Sequence, residues 1–417
     1  MGCLSNISEK QLSDDSSLPA DEHQYIVQSL SINEGIQSVF VLDATDGRVA
    51  FELTSEQIDT TTAQWLTIDV LGDQGIGNLD LYDEPDFSLT HNWVQAQFAP
   101  TGELVVLVND VVDQNPYVSH FLIMDMQGVV QYIVKAPFAH HSFDFYQHQD
   151  GSWSLAYVKA EPRHTSDFPE LTTDRRFIVG DQVVWVDLQT VEAGQVMAEV
   201  KWSAFDALMV REDSGVFYGA DMIDWTHMNS LMIDQQSNAL SVSLWTLHSL
   251  LLFDIDNSAG DTISSLNLRT RRGVYSTRIN KQMFEQHPNY DGYQLSQVDF
   301  MNPHGVISSN SHQEMYFMDN SKAEAVSIVF DSAGTLIEEY RIRNDYPVIA
   351  FGNALEVGAG VVVNWGGPFI EAPCIIELLD LQLQTKNWRY QVEPCEDATS
   401  RPFLGYSKVV PEGISVE

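Results

Sequence analysis

Short apolar runs recur along the chain, and turn residues separate them. Residues 103–108, 121–124 and 183–186 are examples, and Asp-Gly, Ser-Gly and Asn-Ser pairs lie between such runs. Runs of this length with these boundaries are typical of β-strands, whereas an amphipathic helix needs a longer segment with a 3.6-residue period. Long helical patterns are scarce. The sequence therefore predicts an all-β fold.

A repeat becomes visible when segments are aligned on a polar residue that precedes an apolar strand. This anchor position recurs at spacings of 49 to 86 residues and is held by Asn92, His141, His227, His304 and Asn353. Each anchor leads into a strand, a turn and a second strand. A third strand that ends at an aspartate turn and a fourth strand follow, although the second unit is hard to trace. The sequence thus predicts a four-stranded unit that occurs five times.

A sixth unit begins at residues 403–410, and residues 38–42 and 48–53 can supply its missing strands. Closing a ring with strands from both ends of the chain removes the open edge of the sheet. We therefore expect a six-bladed β-propeller of four-stranded blades. Seven or eight blades are the alternatives if residues 66–82 form a blade of their own.

The domain organisation follows from this fold. We expect residues 1–30 to form a flexible N-terminal tether and residues 31–417 to form a single β-propeller domain. The first strand of each propeller blade lines the central channel. The five anchors should therefore converge at one mouth of that channel.

The charge balance restricts the possible partners. The chain has 21 basic and 59 acidic residues, which gives a formal net charge of −38. Nucleic-acid binding requires a basic surface, so the sequence argues against it. A solvated acidic surface is the preferred interpretation, and recruitment of cationic partners is the alternative. No apolar run of 18 residues is present, so the sequence predicts no membrane-spanning helix.

The three cysteines suggest two separate features. Cys374 and Cys395 flank a predicted hairpin 21 residues apart, so a disulfide across its open end is expected, with two inert thiols as the alternative. Cys3 opens a polar stretch that resembles the tether of a lipid-anchored bacterial protein. A lipidated Cys3 predicts a periplasmic or cell-envelope location. N-myristoylation at Gly2 is disfavoured because Asn6 stands where Ser or Thr is expected.

Three of the five anchors are histidines, and this predicts a polar pocket. A single histidine before a strand is usually structural, but His141, His227 and His304 occupy the same position in three units. Imidazole near neutral pH serves as base, acid, nucleophile or metal ligand. Three imidazoles with a water molecule can hold zinc, which leaves a metal site as an alternative. The residue types alone do not separate these roles.

Several short motifs resemble those of the arylsulfotransferase family. They are DWTHMNS at 224–230, PHG at 303–305 followed by MDN at 318–320, HHSF at 140–143, and GNA at 352–354 followed by NWG at 364–366. These motifs occur in the family's order and cover about residues 90–370. The resemblance implies sulfuryl transfer from an aryl sulfate to a phenol by ping-pong kinetics, without a metal or another cofactor.

The resemblance also implies roles for the histidines. His304 would attack the sulfur and carry the sulfuryl group, while His141 and His227 would hold the sulfuryl oxygens and handle protons. Residues of the same predicted mouth are expected to bind substrate: His140, Asn92, Asn229, Trp245, His248 and Asn353.

One departure from the family pattern bears on activity. The family has an arginine eighteen residues after the histidine of the DWTH motif, where this chain has Trp245. Losing one preorganised donor raises a barrier by about 2.7–4 kcal/mol. His248, or Arg211, Lys322 or Arg269 from loops, would have to replace it, and Trp245 would instead form an aromatic wall. The alternative is therefore an inactive propeller that acts as a ligand-binding or scaffold lipoprotein.

Overall fold

The computed structural model describes most of the chain. The described residues are 7–11, 24–32, 36–71, 87–110, 118–192, 194–210, 216–218, 222–258, 263–277, 285, 294–309, 313–344, 348–350, 352–357, 360–365, 367–368, 374–380, 385–392, 402–404, 406–411 and 414.

Strands dominate these residues. In the first half they are β1 Ile7–Gln11, β2 Tyr25–Ile32, β3 Ser38–Asp43, β4 Val49–Thr54, β5 Gln64–Leu71, β6 Asn92–Phe98, β7 Leu104–Asp110, β8 Val118–Met124, β9 Val130–Lys135, β10 Ala139–Gln147, β11 Trp153–His164, β12 Phe177–Glu192, β13 Gln195–Ser203, β14 Val216–Tyr218 and β15 Met222–Asp224. In the second half they are β16 Met228–Asp234, β17 Ala239–Leu244, β18 Ser249–Asp256, β19 Asn267–Ser276, β20 Gln294–Val298, β21 Pro303–Ser309, β22 Glu314–Asp319, β23 Glu324–Phe330, β24 Leu336–Arg343, β25 Val348–Ala350, β26 Asn353–Val357, β27 Gly360–Asn364, β28 Gly367–Pro368, β29 Cys374–Asp380, β30 Thr385–Val392, β31 Pro402–Leu404 and β32 Lys408–Val409.

Helices are short in the described part of the chain. One α-helical turn spans Ala204–Ala207, and 3₁₀ turns span Ser55–Gln57, Thr165–Asp167 and Ile263–Ser265. None of the helices among the described residues has the length and apolar character to cross a membrane. The predicted all-β class is confirmed.

Antiparallel pairing groups the strands into four-stranded meanders. The first meander is β6–β9, the second β10–β13, the third β16–β19 and the fourth β21–β24. The fifth consists of β26, β27, β29 and β30. The sixth joins β2–β4 to β31 and β32, which both pair with β2. Strands near the two ends of the sequence therefore share one sheet, as the sequence predicts.

The first strands of the meanders contact one another in a cycle. β6 contacts β10, β10 contacts β16, β16 contacts β21, β21 contacts β26, β26 contacts β32 and β32 contacts β6. This arrangement places the starts of these strands around one centre. The count of six blades stays a prediction.

Part of the segment that would form a separate blade in the seven- or eight-blade alternatives lies in β5. β5 pairs in parallel with β9 and β13 and so joins the fourth strands of the first and second meanders. Residues 72–82 of this alternative blade lie outside the described residues.

The predicted tether is also partly within the sheets. β1 pairs with β30, and residues 26–31 of β2 are buried between β3 and the strands of the C-terminal segment. The boundary expected at residue 30 falls inside β2, so the expectation that residues 1–30 form a tether requires correction. Cys3 and Cys395 lie outside the described residues, so the lipid anchor and the disulfide stay predictions.

Apolar side chains fill the layers between meanders. Between the second and third meanders, Trp185 of β12 packs in one cluster with Trp225 and with Val242 of β17, and all three are fully buried. Burying one large apolar side chain stabilises the fold by about 1.5–3 kcal/mol. Such layers hold the first strands in fixed positions around the centre.

A local irregularity recurs near the start of the first strands. The pairing register shifts between Trp93 and Gln95 in β6, between residues 139 and 143 in β10, between residues 228 and 230 in β16, and between residues 304 and 307 in β21. β-bulges of this kind redirect side chains and occur often beside functional sites. Here they lie beside four of the five anchors, which are Asn92, His141, His227 and His304.

Candidate functional site

Four histidines meet where these bulges converge, and we call His140, His141, His227 and His304 the histidine cluster. The ring centroids of His140 and His141 are 4.8 Å apart, and those of His141 and His227 are also 4.8 Å apart. His304 is close enough to affect the charge of His141. The structure thus brings together the three histidine anchors and His140.

The backbone at two of these histidines is unusual. His141 has a φ of 58° and His227 a φ of 44°, both in the left-handed region. Non-glycine residues rarely adopt this region, and such residues cluster at functional sites. His141 lies within the bulged start of β10, and His227 directly precedes β16.

Asp224 pairs with His227. The Nδ1–H of His227 donates to Oδ2 of Asp224 at 2.5 Å, and the two side chains are only 15% and 7% exposed. Burial alone would lower the pKa of His227, but the charge and hydrogen bond of Asp224, with a contribution from Asp181, raise the pKa above its ordinary value. His227 therefore carries a positive charge more readily than an ordinary imidazole does.

Asp181 of β12 binds His140, whose ring in turn contacts that of His141. Its Oδ2 accepts hydrogen bonds from Thr226 Oγ1 at 2.5 Å and from the backbone N–H of Met228 at 2.6 Å. Its Oδ1 lies 2.8 Å from His140 Nε2, and His140 Nδ1 lies 2.6 Å from His141 Nδ1. Asp181 thereby links the second meander to the strand that follows His227.

Tyr406, which lies between β31 and β32, contacts the ring of His304. Its hydroxyl donates to the backbone carbonyl of Asn229, so its oxygen remains an acceptor for His304 Nδ1 at 3.3 Å. His304 therefore carries its proton on Nδ1, and Nε2 keeps a lone pair. Tyr406 is fully buried, and burial raises the pKa of its hydroxyl, which keeps this group neutral.

Two rings of the cluster favour the neutral state. Burial, followed by repulsion from His227, His140 and His304, lowers the pKa of His141 well below its usual value. Burial and then His227 do the same for the pKa of His304, which is only 3% exposed. One pocket therefore combines an imidazole that favours a proton with two that disfavour it.

The turn between β17 and β18 borders the cluster. The ring of Trp245 lies 5.2 Å from that of His227, and its buried indole N–H has no hydrogen-bond partner among the described residues. His248 Nδ1 accepts a hydrogen bond from the backbone N–H of Asn302 at 3.1 Å. Both Trp245 and His248 lie within this turn.

The asparagines predicted to bind substrate occupy different places. Asn229 donates to the carbonyl of Pro303 and accepts from the hydroxyl of Ser243, while Asn353 exchanges two hydrogen bonds of 2.9 Å with the backbone of Ser407. Both are fully buried and connect neighbouring strands. Asn92 starts β6 and is half-buried. Their role in substrate binding stays a prediction.

The basic residues considered as replacements for the missing arginine lie elsewhere or beyond the described part. Lys322 pairs with Asp299 at 2.9 Å, and Arg269 is an exposed residue of β19. Arg211 lies outside the described residues. A different cation, Lys408, binds Asp144 at 2.8 Å farther along β10, where Gln97 also donates to Asp144 at 2.7 Å.

Metal-binding geometry was one of the alternatives from the sequence. Among the described residues, no group of three or more His, Cys, Asp or Glu side chains is arranged to hold a metal ion. The rings of the cluster contact each other edge to face, and two of them use one nitrogen to bind a carboxylate.

Comparison with known proteins gives no family. No family model matches the chain, and no curated protein matches it. Solved structures that resemble it include the periplasmic gluconolactonase of Pseudomonas aeruginosa, at 14% identity, 89% coverage of this chain, 84% of that chain and a TM-score of 0.43. A protein from Lactobacillus plantarum matches at 12% identity, with coverages of 93% and 100% and a TM-score of 0.45. A chain of a nidogen–laminin complex matches at 8% identity, with coverages of 93% and 98% and a TM-score of 0.41.

These findings correct one expectation. Membership in the arylsulfotransferase family, expected from the short motifs, is wrong, because no family model matches and none of these structures bears that name. At such low identities and TM-scores, the likenesses carry no argument about activity. The chemistry must be argued from the cluster itself.

Proposed function

We propose that the histidine cluster, at the centre of a six-bladed propeller, transfers an oxyanionic group from a small aryl ester to a hydroxyl acceptor. Sulfuryl is the first group to test. The observation that carries the proposal is the opposite protonation preference of neighbouring rings: the pKa of His227 is raised, and those of His304 and His141 are lowered. An acid and a nucleophile or base can then coexist at one pH.

In the first half-reaction His304 is the nucleophile. Its Nε2 lone pair forms a bond to the sulfur of the ester while the bond from sulfur to the aryl oxygen breaks. The leaving aryl oxide takes a proton from the imidazolium of His227, so a neutral phenol departs. The cation of His227 and the free indole N–H of Trp245 support this step, because both can stabilise negative charge that spreads over the sulfuryl oxygens.

The second half-reaction restores the site. The acceptor hydroxyl gives its proton to a neutral imidazole of the cluster, its oxygen forms a bond to sulfur, and the bond from sulfur to His304 Nε2 breaks. Transfer of that proton to His227 returns the starting state. Trp245 offers an aromatic face beside His227 against which the aryl group can pack.

The test is release of nitrophenol from p-nitrophenyl sulfate with phenol as acceptor. Wild type should release nitrophenol and show an acid-labile sulfuryl mass on the peptide that contains His304. His304→Gln should lower release at least about 100-fold. His164→Gln is the matched control, because His164 lies at the end of β11 and packs on Phe177. p-Nitrophenyl phosphate and p-nitrophenyl acetate in parallel identify the transferred group.

Absence of release from both the sulfate and the phosphate would overturn the proposal, as would unchanged release by His304→Gln. A second candidate is a ligand-binding pocket without turnover, which is favoured by the Trp245 ring 5.2 Å from that of His227 and by its buried indole N–H, unpartnered among the described residues. Calorimetric binding of p-nitrophenyl sulfate without release, lost on changing Trp245 to Ala, would support that candidate. The predicted lipid anchor at Cys3 and the periplasmic or cell-envelope location remain part of either proposal.

A further inference from the structure

We infer that the buried pair of His140 and Asp181 makes His141 the base that accepts the proton of the acceptor hydroxyl. This inference rests on the proposed group transfer and assigns its second half-reaction to one ring. Two contacts in sequence carry it: His140 Nε2 lies 2.8 Å from Asp181 Oδ1, and His140 Nδ1 lies 2.6 Å from His141 Nδ1.

The carboxylate of Asp181 fixes the first proton. Asp181 is 1% exposed, and its Oδ2 already accepts from Thr226 and Met228, so it acts as a charged acceptor. His140 must then carry a proton on Nε2 to donate to Oδ1. When His140 is neutral, its Nδ1 is consequently an acceptor.

The position of the proton on His141 follows from the position of the proton on His140. Two ring nitrogens 2.6 Å apart in a buried site need one proton between them, since two lone pairs or two N–H groups would repel. That proton belongs to His141 Nδ1 when both rings are neutral. Nε2 of His141 is then an acceptor, which is the form that a general base requires.

The pair also provides a place for the positive charge. When the acceptor O–H bond breaks, its proton forms a bond to His141 Nε2. The Nδ1 proton of His141 can then move to His140 Nδ1, so the charge ends on His140 beside the carboxylate of Asp181. Without this transfer, the charge would stay on His141, one ring farther from that carboxylate.

Asp181 and His140 are positioning residues in this scheme, and the first test does not depend on turnover. Proteins with ¹⁵N-labelled histidine should show a bare Nε2 and a protonated Nδ1 on His141, assigned by loss of the signals in His141→Gln. Asp181→Asn should change this tautomer or make it a mixture. His164→Gln should leave it as it is. The inference is overturned if His141 of wild type has no proton on Nδ1. It is also overturned if His141 keeps the wild-type tautomer in Asp181→Asn.

The second test separates the half-reactions. Formation of the sulfuryl adduct on His304 is followed without acceptor, and its discharge is followed after phenol is added. Asp181→Asn and His140→Gln should slow discharge at least about tenfold and slow it more than formation. Equal losses in both steps would indicate a structural role and overturn the inference. No adduct in wild type, with the expected tautomer present, would instead refute the proposed function.

Discussion

Replacing Asp224 by Asn should discharge His227. The carboxylate lies 2.5 Å from the ring in a site where both side chains are largely buried. Opposite charges about 4 Å apart attract by about 4 kcal/mol at an effective dielectric constant near 20, or about 3 pKa units. Measured effects of a close carboxylate are about 1–3 units. In Asp224→Asn, burial still lowers the pKa of His227, but the charge of Asp224 no longer raises it. The pKa of His227 should therefore fall below its ordinary value.

Stability should change in a defined pH window. Since the pKa of His227 is raised by folding, its contribution to stability is fully present below about pH 6.5 and is lost as the pH rises through the folded value. Asp224→Asn should therefore lose about 1.4–4 kcal/mol near pH 5.5 and less above neutrality. The free energy of unfolding in urea, measured at both pH values, gives this difference.

Proton NMR titration of the histidine Cε1–H signals measures the pKa directly, with His227→Gln to assign the resonance. Asp254→Asn is the matched control, because Asp254 is 41% exposed on β18 and pairs with Arg271. A pKa of His227 that stays above 6.5 in Asp224→Asn would refute the electrostatic account of the cluster.

Three further changes test other parts of the structure. Lys408→Met should cost about 3–5 kcal/mol in urea unfolding, because it leaves Asp144 buried without its cation, and adding Asp144→Asn should recover part of the loss. Gly305→Ala should lower Tm and activity together: its φ is 58°, and an added Cβ would lie 2.1 Å from Cβ of Asn353. Wild type should lose about 1.4 kcal/mol of stability per pH unit below pH 6.5 through His304, whose pKa folding lowers, and His304→Gln should lose that part of the slope.

Each of these three predictions has a result that would contradict it. A loss under about 1 kcal/mol in Lys408→Met would show that water reaches Asp144. An unchanged Tm for Gly305→Ala would mean that β21 and β26 can separate freely. Equal acid slopes in wild type and His304→Gln would mean that His304 takes up its proton in the folded state.

The convergence of the histidines could be predicted because it depends on local pattern. His141, His227 and His304 each precede an apolar run, and equivalent positions in a repeated unit occupy equivalent places in space. The identities of the first strands followed from the same pattern. The residues of one strand and its neighbouring turn are enough to recognise this recurring pattern, without knowledge of distant contacts.

The partners of the histidines could not be predicted in the same way. Tyr406 is 102 residues from His304, and Asp181 is 41 residues from His140. Their contacts depend on how the meanders close around the centre and on the bulges, which have no clear sequence signature. Asp181 did leave one signal: it is an acidic residue in the first half of β12, between the apolar residues 177–179 and 183–186. Asp224 is the first residue of the DWTHMNS motif, but the motif alone gave no indication that its carboxylate binds His227.

The misplaced tether has a compositional cause. The segment before residue 30 is polar, and a polar stretch resembles disorder. In the structure Gln28 is fully buried and accepts from Asn364 at 3.1 Å, and Ser31 accepts from the backbone N–H of Trp93 at 2.6 Å. Buried polar groups with partners cost little. Hydropathy cannot reveal such partners, because they lie in distant parts of the chain.

The net charge of −38 opposes the approach of an anionic ester, while the cluster supplies one imidazolium at short range. The repulsion acts over long distances and salt screens it: the Debye length falls from about 30 Å at 0.01 M to about 8 Å at 0.15 M. Contact with His227 is partly buried and is screened much less. Added salt should therefore raise kcat/KM for p-nitrophenyl sulfate, or tighten its Kd if there is no turnover, and leave the neutral p-nitrophenyl acetate nearly unchanged. A decrease in kcat/KM for the sulfate would instead mean that a positive field attracts the ester over a distance and outweighs the net negative charge.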